Sequence, residues 1–293
     1  MQLLDGKIAS QAIKDDLKKK ISYLRDGNKK LPHLAAILVG NNAASETYVS
    51  SKVRSCNEIG ITSTLIRLEE TIPENFLLEK VSELNNNEDV DGILVQLPLP
   101  KHISEEKIIN SILPEKDVDG FHPVNVGKMV LGLPAFISAT PYGIILLLQH
   151  YKIKAAGQHV VVIGRSNIVG TPISILLSRN NEHGNATVTI CHSKTKNLEH
   201  LCKEADIIIA AIGRPKFVTD SMVKENATVI DVGINRVKDD SKKSGYGLVG
   251  DVDFEKVAPK CSYITPVPGG VGLMTIAALL TNTYEACIRR LNN

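Results

Sequence analysis

The sequence predicts an α/β protein of two α/β lobes, the second a Rossmann-like parallel sheet, with an active-site cleft between them. Three observations lead to that expectation. Aliphatic runs rich in Val and Ile suit strands buried on both faces of a parallel sheet. These runs alternate with stretches whose apolar residues recur at helical spacing. The alternation occurs twice, on either side of a Gly-, Pro- and Asp-rich stretch at residues 113–138, which reads as a long functional connection.

The first series opens with an amphipathic helix over residues 7–24, with Ile13, Leu17, Ile21 and Leu24 on one face. Residues 34–40 follow as a short buried strand. A polar helix over residues 43–59 ends at Gly60, and residues 62–68 form the next strand. Residues 74–84 carry Phe76, Leu77, Val81 and Leu84 in helical order, and residues 92–98 form a third strand closed by Pro-Leu-Pro. Such a β-α-β-α-β order implies parallel pairing with right-handed crossovers.

The second series starts with a strand over residues 158–164, a glycine turn, and a helix opening near Thr171-Pro172, where proline is tolerated in the first turn. Residues 186–192, 206–213 and 227–234 are further strands, with a short helix over residues 197–204. Residues 238–248 read as a polar surface loop, and a last helix runs from about residue 274 to 291. The division drawn from this is one domain over residues 1–137, completed by a C-terminal helix at 274–293, and a nucleotide-binding domain over 138–273. The last helix is expected to pack back on the first domain.

Composition excludes several function classes. The chain has 293 residues, 34 Lys+Arg against 32 Asp+Glu, and a formal net charge of +2. That balance argues against nucleic-acid or membrane-surface binding, which draw on a concentrated basic face. Aromatic residues are only 4% and Trp is absent, which disfavours stacking platforms for single strands. Five cysteines without C-x-x-C spacing point to a reducing compartment rather than disulfides or zinc. No basic segment followed by an apolar run opens the chain, and apolar stretches such as residues 144–148 are far shorter than a bilayer span. A cytoplasmic protein is expected.

Five segments can carry chemistry. Gly164-Arg-Ser-Asn-Ile-Val-Gly170 lies between a strand and a helix, where backbone N–H groups and the helix dipole favour a pyrophosphate. It departs from G-x-G-x-x-G at Ser166. The next strand ends Cys191-His-Ser193-Lys194, with no carboxylate for ribose hydroxyls. A hydroxyl, nearby cations and Arg165 suit a 2′-phosphate instead, which favours NADP. Tyr48 and Lys52, at i and i+4 of a helix, share a face. Short-chain dehydrogenases also use Tyr-x-x-x-Lys, but after the glycine turn; here the pair precedes it by more than a hundred residues. Gln96 is polar at the carboxyl end of an apolar strand, where α/β ligand sites form. Lys116-Asp-Val-Asp119-Gly120 is a tight turn with two carboxylates, and residues 265–272 are glycine-rich before the last helix. Each segment taken alone also fits an ordinary helix face, capped turn or loop.

Together they resemble the bifunctional methylenetetrahydrofolate dehydrogenase/methenyltetrahydrofolate cyclohydrolase family. The matching pieces are Tyr48-x-x-x-Lys52, Val95-Gln-Leu-Pro-Leu-Pro100, Pro114-Glu-Lys-Asp-Val-Asp-Gly120 and Ala139-Thr-Pro-x-Gly143. They continue with the glycine turn, Asp231-Val-Gly-Ile-Asn235, Gly250-Asp-Val252 and Pro266-Val-Pro-Gly-Gly-Val-Gly272, in family order over nearly the whole chain. The resemblance implies oxidation of 5,10-methylenetetrahydrofolate with NADP, then hydrolysis of the methenyl product to 10-formyltetrahydrofolate. It makes residues 1–137 the folate-binding domain. It implies that Lys52 is the catalytic amine, that Tyr48 positions the folate, that Gln96 orients Lys52 and that Asp119 binds the pterin. Gly164, Arg165, Ser166, Gly170, Ser193 and Ile234 fall to NADP, and Pro268, Gly269 and Gly272 border the folate.

A cationic product beside an ammonium disfavours the ammonium's charge, which is the physical reason to expect a lysine base there. The resemblance also implies a homodimer that serves one-carbon metabolism and purine biosynthesis. The sequence departs from the family at Leu273, where proline is usual, at Ser138-Ala139, and by a small insertion at residues 181–185. A dehydrogenase alone, possibly linked to NAD, is the alternative; intact Lys52 and Gln96 and the missing strand-end acid argue against it.

Overall fold

The computed structural model describes residues 1–239, 241 and 245–292. In chain order its first half holds β1 (Gln2–Leu3), α1 (Gly6–Asp26), β2 (His33–Val39), α2 (Ala43–Ile59), β3 (Thr62–Leu68), α3 (Glu74–Asn86), β4 (Gly92–Val95), α4 (Glu105–Ser111), α5 (Pro123–Leu131) and α6 (Ala139–His150). The second half holds β5 (His159–Ile163), α7 (Gly170–Ser178), β6 (Thr187–Cys191), α8 (Leu198–Lys203), β7 (Ile207–Ala210), β8 (Thr228–Asp231), β9 (Asn235–Lys238), β10 (Tyr246–Val249), α9 (Phe254–Val257), β11 (Tyr263–Ile264) and α10 (Val271–Leu291). The chain divides into two compact units, Gln11–Ala139 with Ile276–Asn293, and Met1–Ser10 with Thr140–Thr275.

The first unit is built on a three-stranded parallel sheet in the order β3-β2-β4. Its central strand β2 is buried along almost its full length, as its aliphatic sequence requires. Alternation of side chains along the strand divides the core in two. Leu34, Ala36 and Leu38 pack with Leu17, Ile21, Val49 and Leu279, whereas Ala35, Ile37 and Val39 pack with Leu77, Val81 and Ile108. Asp91, fully buried just before β4, holds the Lys30 ammonium, the Arg290 guanidinium and the His33 N–H. Removing such a carboxylate would leave two cations uncompensated, at a cost of about 3–5 kcal/mol.

The second unit carries a six-stranded sheet, β1-β11-β8-β7-β5-β6, parallel throughout. The chain leaves β5 for β6 on one side and reaches β7 on the other. The carboxyl ends of β5 and β7 therefore form the switch point at which such sheets bind nucleotides.

Several expectations change. Residues 1–10, assigned from the sequence to the first domain, belong with the six-stranded unit because β1 pairs with β11. The connection at 113–138 contains α5, opened by a His122 cap with Pro123 in the first turn and closed by Gly132 at φ +78°. Helices α4 and α6 were also not anticipated. The surface loop expected over 238–248 is in part the antiparallel pair β9–β10; residues 240 and 242–244 lie outside the described residues. Helix α10 starts at Val271, not residue 274, and is apolar enough by length and composition to cross a bilayer. Its Leu279, Leu280 and Ala286 instead fill the core of the three-stranded unit.

Candidate active site

In the three-stranded unit the site grows from the end of β4. Gln96 follows the strand directly, and its backbone N–H donates to the Ile37 carbonyl at 2.9 Å. Its side-chain amide donates to the Leu97 carbonyl at 2.6 Å, which leaves Oε1 to accept from Lys52 Nζ at 3.1 Å. Lys52 stands on α2 one turn after Tyr48, the pair sharing a helix face as their spacing requires. Lys52 and Gln96 are half-buried, and Tyr48 is 39% exposed. The phenol thus stays open to a ligand beside a partly desolvated ammonium.

Asp119 completes the group. Burial pushes its carboxyl above the usual range, and the Lys52 charge pulls it back down. Its side chain makes no hydrogen bond among the described residues, whereas its neighbours are fixed on every side. Lys116, 4% exposed, donates to the carbonyls of Leu84, Asn85 and Asn87 at 2.7–2.9 Å, closing the carboxyl end of α3. Burial holds its ammonium below the usual lysine range.

Asp117 accepts from the Phe121 and His122 N–H groups and from Asn125 Nδ2. Burial pushes its carboxyl up to about 6. Asn282 of α10 donates to the Val118 and Ile137 carbonyls. Gly120, at φ +72°, lies where a Cβ would come within 2.5 Å of the Ser138 nitrogen. A frame this rigid aims one unpaired carboxylate.

In the six-stranded unit the glycine turn follows β5. Gly164 has φ +126°, and a Cβ there would meet the Ala211 carbonyl at 2.2 Å. A Cβ on Gly170 would meet the Gly164 carbonyl at the same distance. Only glycine allows this close return of the chain. Ser166 Oγ accepts from the Val169 and Gly170 N–H groups at 3.2 and 3.4 Å, at the start of α7. Arg165, Ser166, Ser193 and Lys194 are exposed. Ser193 lies just past β6, which pairs with β5 through Ile163 and Cys191. This donor set of hydroxyls and cations, without a carboxylate at the strand end, fits a dinucleotide with an extra phosphate.

Ile234 follows β8 and is 45% exposed. A Cβ on Gly272 would lie 3.3 Å from its Cδ1. Pro268, Gly269 and Gly272 are thus all in the six-stranded unit. The structure brings Lys52, Gln96 and Asp119 together in one unit, and Gly164, Arg165, Ser166 and Gly170 in the other. Sequence reasoning missed Lys116 and Asp117 as the supports of Asp119. Asp231 and Asp251 stand in two of the matching motifs, but the sequence assigned them no role; the structure shows both buried. The available signal was the density of charge within otherwise apolar or glycine-rich segments.

Comparison with known proteins identifies the family of the chain. Residues 4–119 match the family model of the tetrahydrofolate dehydrogenase/cyclohydrolase catalytic domain, and residues 138–291 match that of the NAD(P)-binding domain. The chain is 59% identical over 286 residues to the bifunctional protein FolD of Cytophaga hutchinsonii, covering 98% of this chain and 99% of that one. The FolD methylenetetrahydrofolate dehydrogenase/cyclohydrolase of Campylobacter jejuni superposes with a TM-score of 0.92 at 50% identity, over 99% of both chains. The Trypanosoma brucei methylenetetrahydrofolate dehydrogenase-cyclohydrolase, solved with NADP cofactor and inhibitor, gives 0.93 at 35% identity, over 100% of this chain and 99% of that one.

Proposed function

Since this chain belongs to the tetrahydrofolate dehydrogenase/cyclohydrolase family, we propose which of its residues perform the two reactions of that family. The chain is a bifunctional enzyme. It oxidises 5,10-methylenetetrahydrofolate to the 5,10-methenyl compound with NADP and hydrolyses that product to 10-formyltetrahydrofolate. The observation that carries the assignment of residues is the Lys52–Gln96 hydrogen bond beside the unpaired carboxylate of Asp119.

NADP, when bound, supplies the acceptor for the hydride. Gly164, Arg165, Ser166 and Gly170 would hold its phosphates at the turn before α7, with Ser193 and Ile234 available to the rest of it. Asp119 accepts hydrogen bonds from the pterin N–H groups, and Tyr48 lies along the folate. Pro268, Gly269 and Gly272 give the backbone close approach to the ligand. Oxidation leaves a positive charge on the one-carbon unit. In hydrolysis a water oxygen bonds to that carbon while its bond to N5 breaks. Lys52, held in line by Gln96, takes one proton from the attacking water and delivers it to N5 as the C–N5 bond breaks; the second water proton leaves to solvent as the carbinol oxygen becomes the formyl carbonyl, which carries away the charge of the methenyl cation.

We further propose that the enzyme is a cytoplasmic homodimer whose product supports purine biosynthesis. The five cysteines are all buried and free, in keeping with a reducing compartment. Light scattering tests the dimer. For the chemistry, the test is a spectrophotometric assay of methylenetetrahydrofolate with NADP and then with NAD. Reduced nicotinamide and a transient methenyl absorbance with NADP are expected; no turnover with either cofactor would defeat the reading.

A further inference from the structure

Ile234, the residue past β8 proposed to lie along the cofactor, stands between two clamped neighbours. On one side the Gly233 N–H donates to Asp231 Oδ1 at 2.9 Å. On the other, Asn235 Nδ2 donates to Asp251 Oδ1 at 2.9 Å. Asp231 and Asp251 are 3% and 0% exposed. They are linked in turn, because the Asp251 backbone N–H donates to Asp231 Oδ1 at 2.8 Å.

Asp251 also reaches the segment after β7. Its two carboxylate oxygens accept from three successive backbone N–H groups, those of Ile212, Gly213 and Arg214, at 2.7–2.9 Å. Successive N–H groups around one anion make a nest, which fixes the backbone that supplies them. This segment begins at Ala211, whose carbonyl is the atom a Cβ on Gly164 would strike. Gly233 is packed so closely on the carboxylate that a Cβ there would lie 2.3 Å from Asp251 Oδ1. One buried carboxylate therefore ties together the segments after β7 and β8, at the carboxyl edge where the glycine turn also lies. Among the described residues no hydroxyl or cation shares the load: each bond to the Asp251 side chain comes from a backbone N–H or the Asn235 amide.

We propose that Asp251 is a positioning residue for the NADP site, acting through the 212–214 segment and Asn235 to set the wall opposite the glycine turn. It touches neither substrate nor the reacting atoms. The inference rests on the reading above that NADP binds at this edge. It separates the two activities, since hydrolysis of the methenyl compound needs no nicotinamide and depends on Lys52, Gln96 and Asp119 of the other unit.

The test uses the full chain with Asp251→Asn and Asn235→Ala. Asn at 251 keeps the volume but retains a single accepting oxygen; Ala at 235 removes the amide's bond to Asp251 together with its longer bond to the Val249 carbonyl at 3.4 Å. Calorimetric titration gives NADP affinity directly, and hydrolysis of methenyltetrahydrofolate without cofactor gives the second readout. The expected result is an NADP Kd raised about tenfold or more in Asp251→Asn, a smaller rise in Asn235→Ala, and unchanged hydrolysis in both. An unchanged Kd, or hydrolysis falling in step with it, overturns the proposal. If Asp251→Asn fails to fold, Asn235→Ala decides by the same criterion. A wild-type chain that binds no NADP overturns the reading of the cofactor edge itself, and this proposal with it.

Discussion

The Lys52 ammonium donates to Gln96 Oε1 across 3.1 Å, and the Gln96 amide nitrogen is held in turn by the Leu97 carbonyl. The second bond fixes which end of the amide faces the lysine. Gln96→Ala therefore frees Lys52 from its line of action without disturbing the sheet. Cofactor-free hydrolysis of methenyltetrahydrofolate should slow by about a hundredfold, while NADP affinity measured by titration stays as in the wild type. Equal loss of both would mean that the glutamine has a structural role only.

Asp117 makes a prediction about pH. Burial raises its carboxyl to about 6 in the folded chain, from 3.8 for the free group. A raised carboxyl means that the folded state binds the proton more tightly than the unfolded state. Its contribution thus favours folding at pH 4 and is lost as pH rises toward 6, by about 3 kcal/mol at most. Asp117→Asn lacks this dependence. Urea unfolding between pH 4.5 and 7 should show the stability of the variant, relative to wild type, improving as pH rises. A constant difference across that range would contradict the buried, proton-holding carboxyl.

Gly164→Ala tests the glycine turn. Its φ of +126° and the 2.2 Å approach of a Cβ to the Ala211 carbonyl leave no room for a methyl group. The backbone must move, so NADP affinity should fall at least tenfold, about 1.4 kcal/mol. Cofactor-free hydrolysis should persist, since its residues lie in the other unit. Calorimetry and the hydrolysis assay together check this.

Lys116→Met tests the frame around Asp119. The methionine fills the stem of the lysine but leaves the carbonyls of Leu84, Asn85 and Asn87 without their shared donor. Losing several charge-assisted bonds in a buried position should destabilise the chain by about 3 kcal/mol. Because the loop carries Asp119, KM for the folate should rise as well. Urea unfolding and steady-state kinetics measure the two effects.

Much of this was legible in the sequence, and the exceptions have physical causes. The aliphatic strands β2 and β5 announce themselves because burial on both faces demands an unbroken apolar run. Lys52 and Tyr48 could be paired from their spacing, since helix geometry fixes which residues share a face. The partnership of Lys52 with Gln96 joins positions 44 residues apart; no local pattern encodes it, and it came only through the family resemblance. The same holds for Asp251, whose partners at 212–214 are almost forty residues away. Strand β1 was invisible because two residues carry no period, and only pairing with β11 makes them a strand. Helix α5 was hidden by Pro123, Gly127 and the surrounding turn residues, although Pro in the first turn and Gly just past the end are ordinary helix punctuation.

The central claim is that Lys52 performs the hydrolytic step. Its most direct test follows the decay of methenyltetrahydrofolate absorbance without cofactor, in wild type and in Lys52→Met with its fold verified by thermal unfolding. Rapid decay is expected with the wild type, and a rate about 10³-fold or more lower with the variant, down to the spontaneous rate. Decay at the wild-type rate by a folded Lys52→Met chain would contradict it.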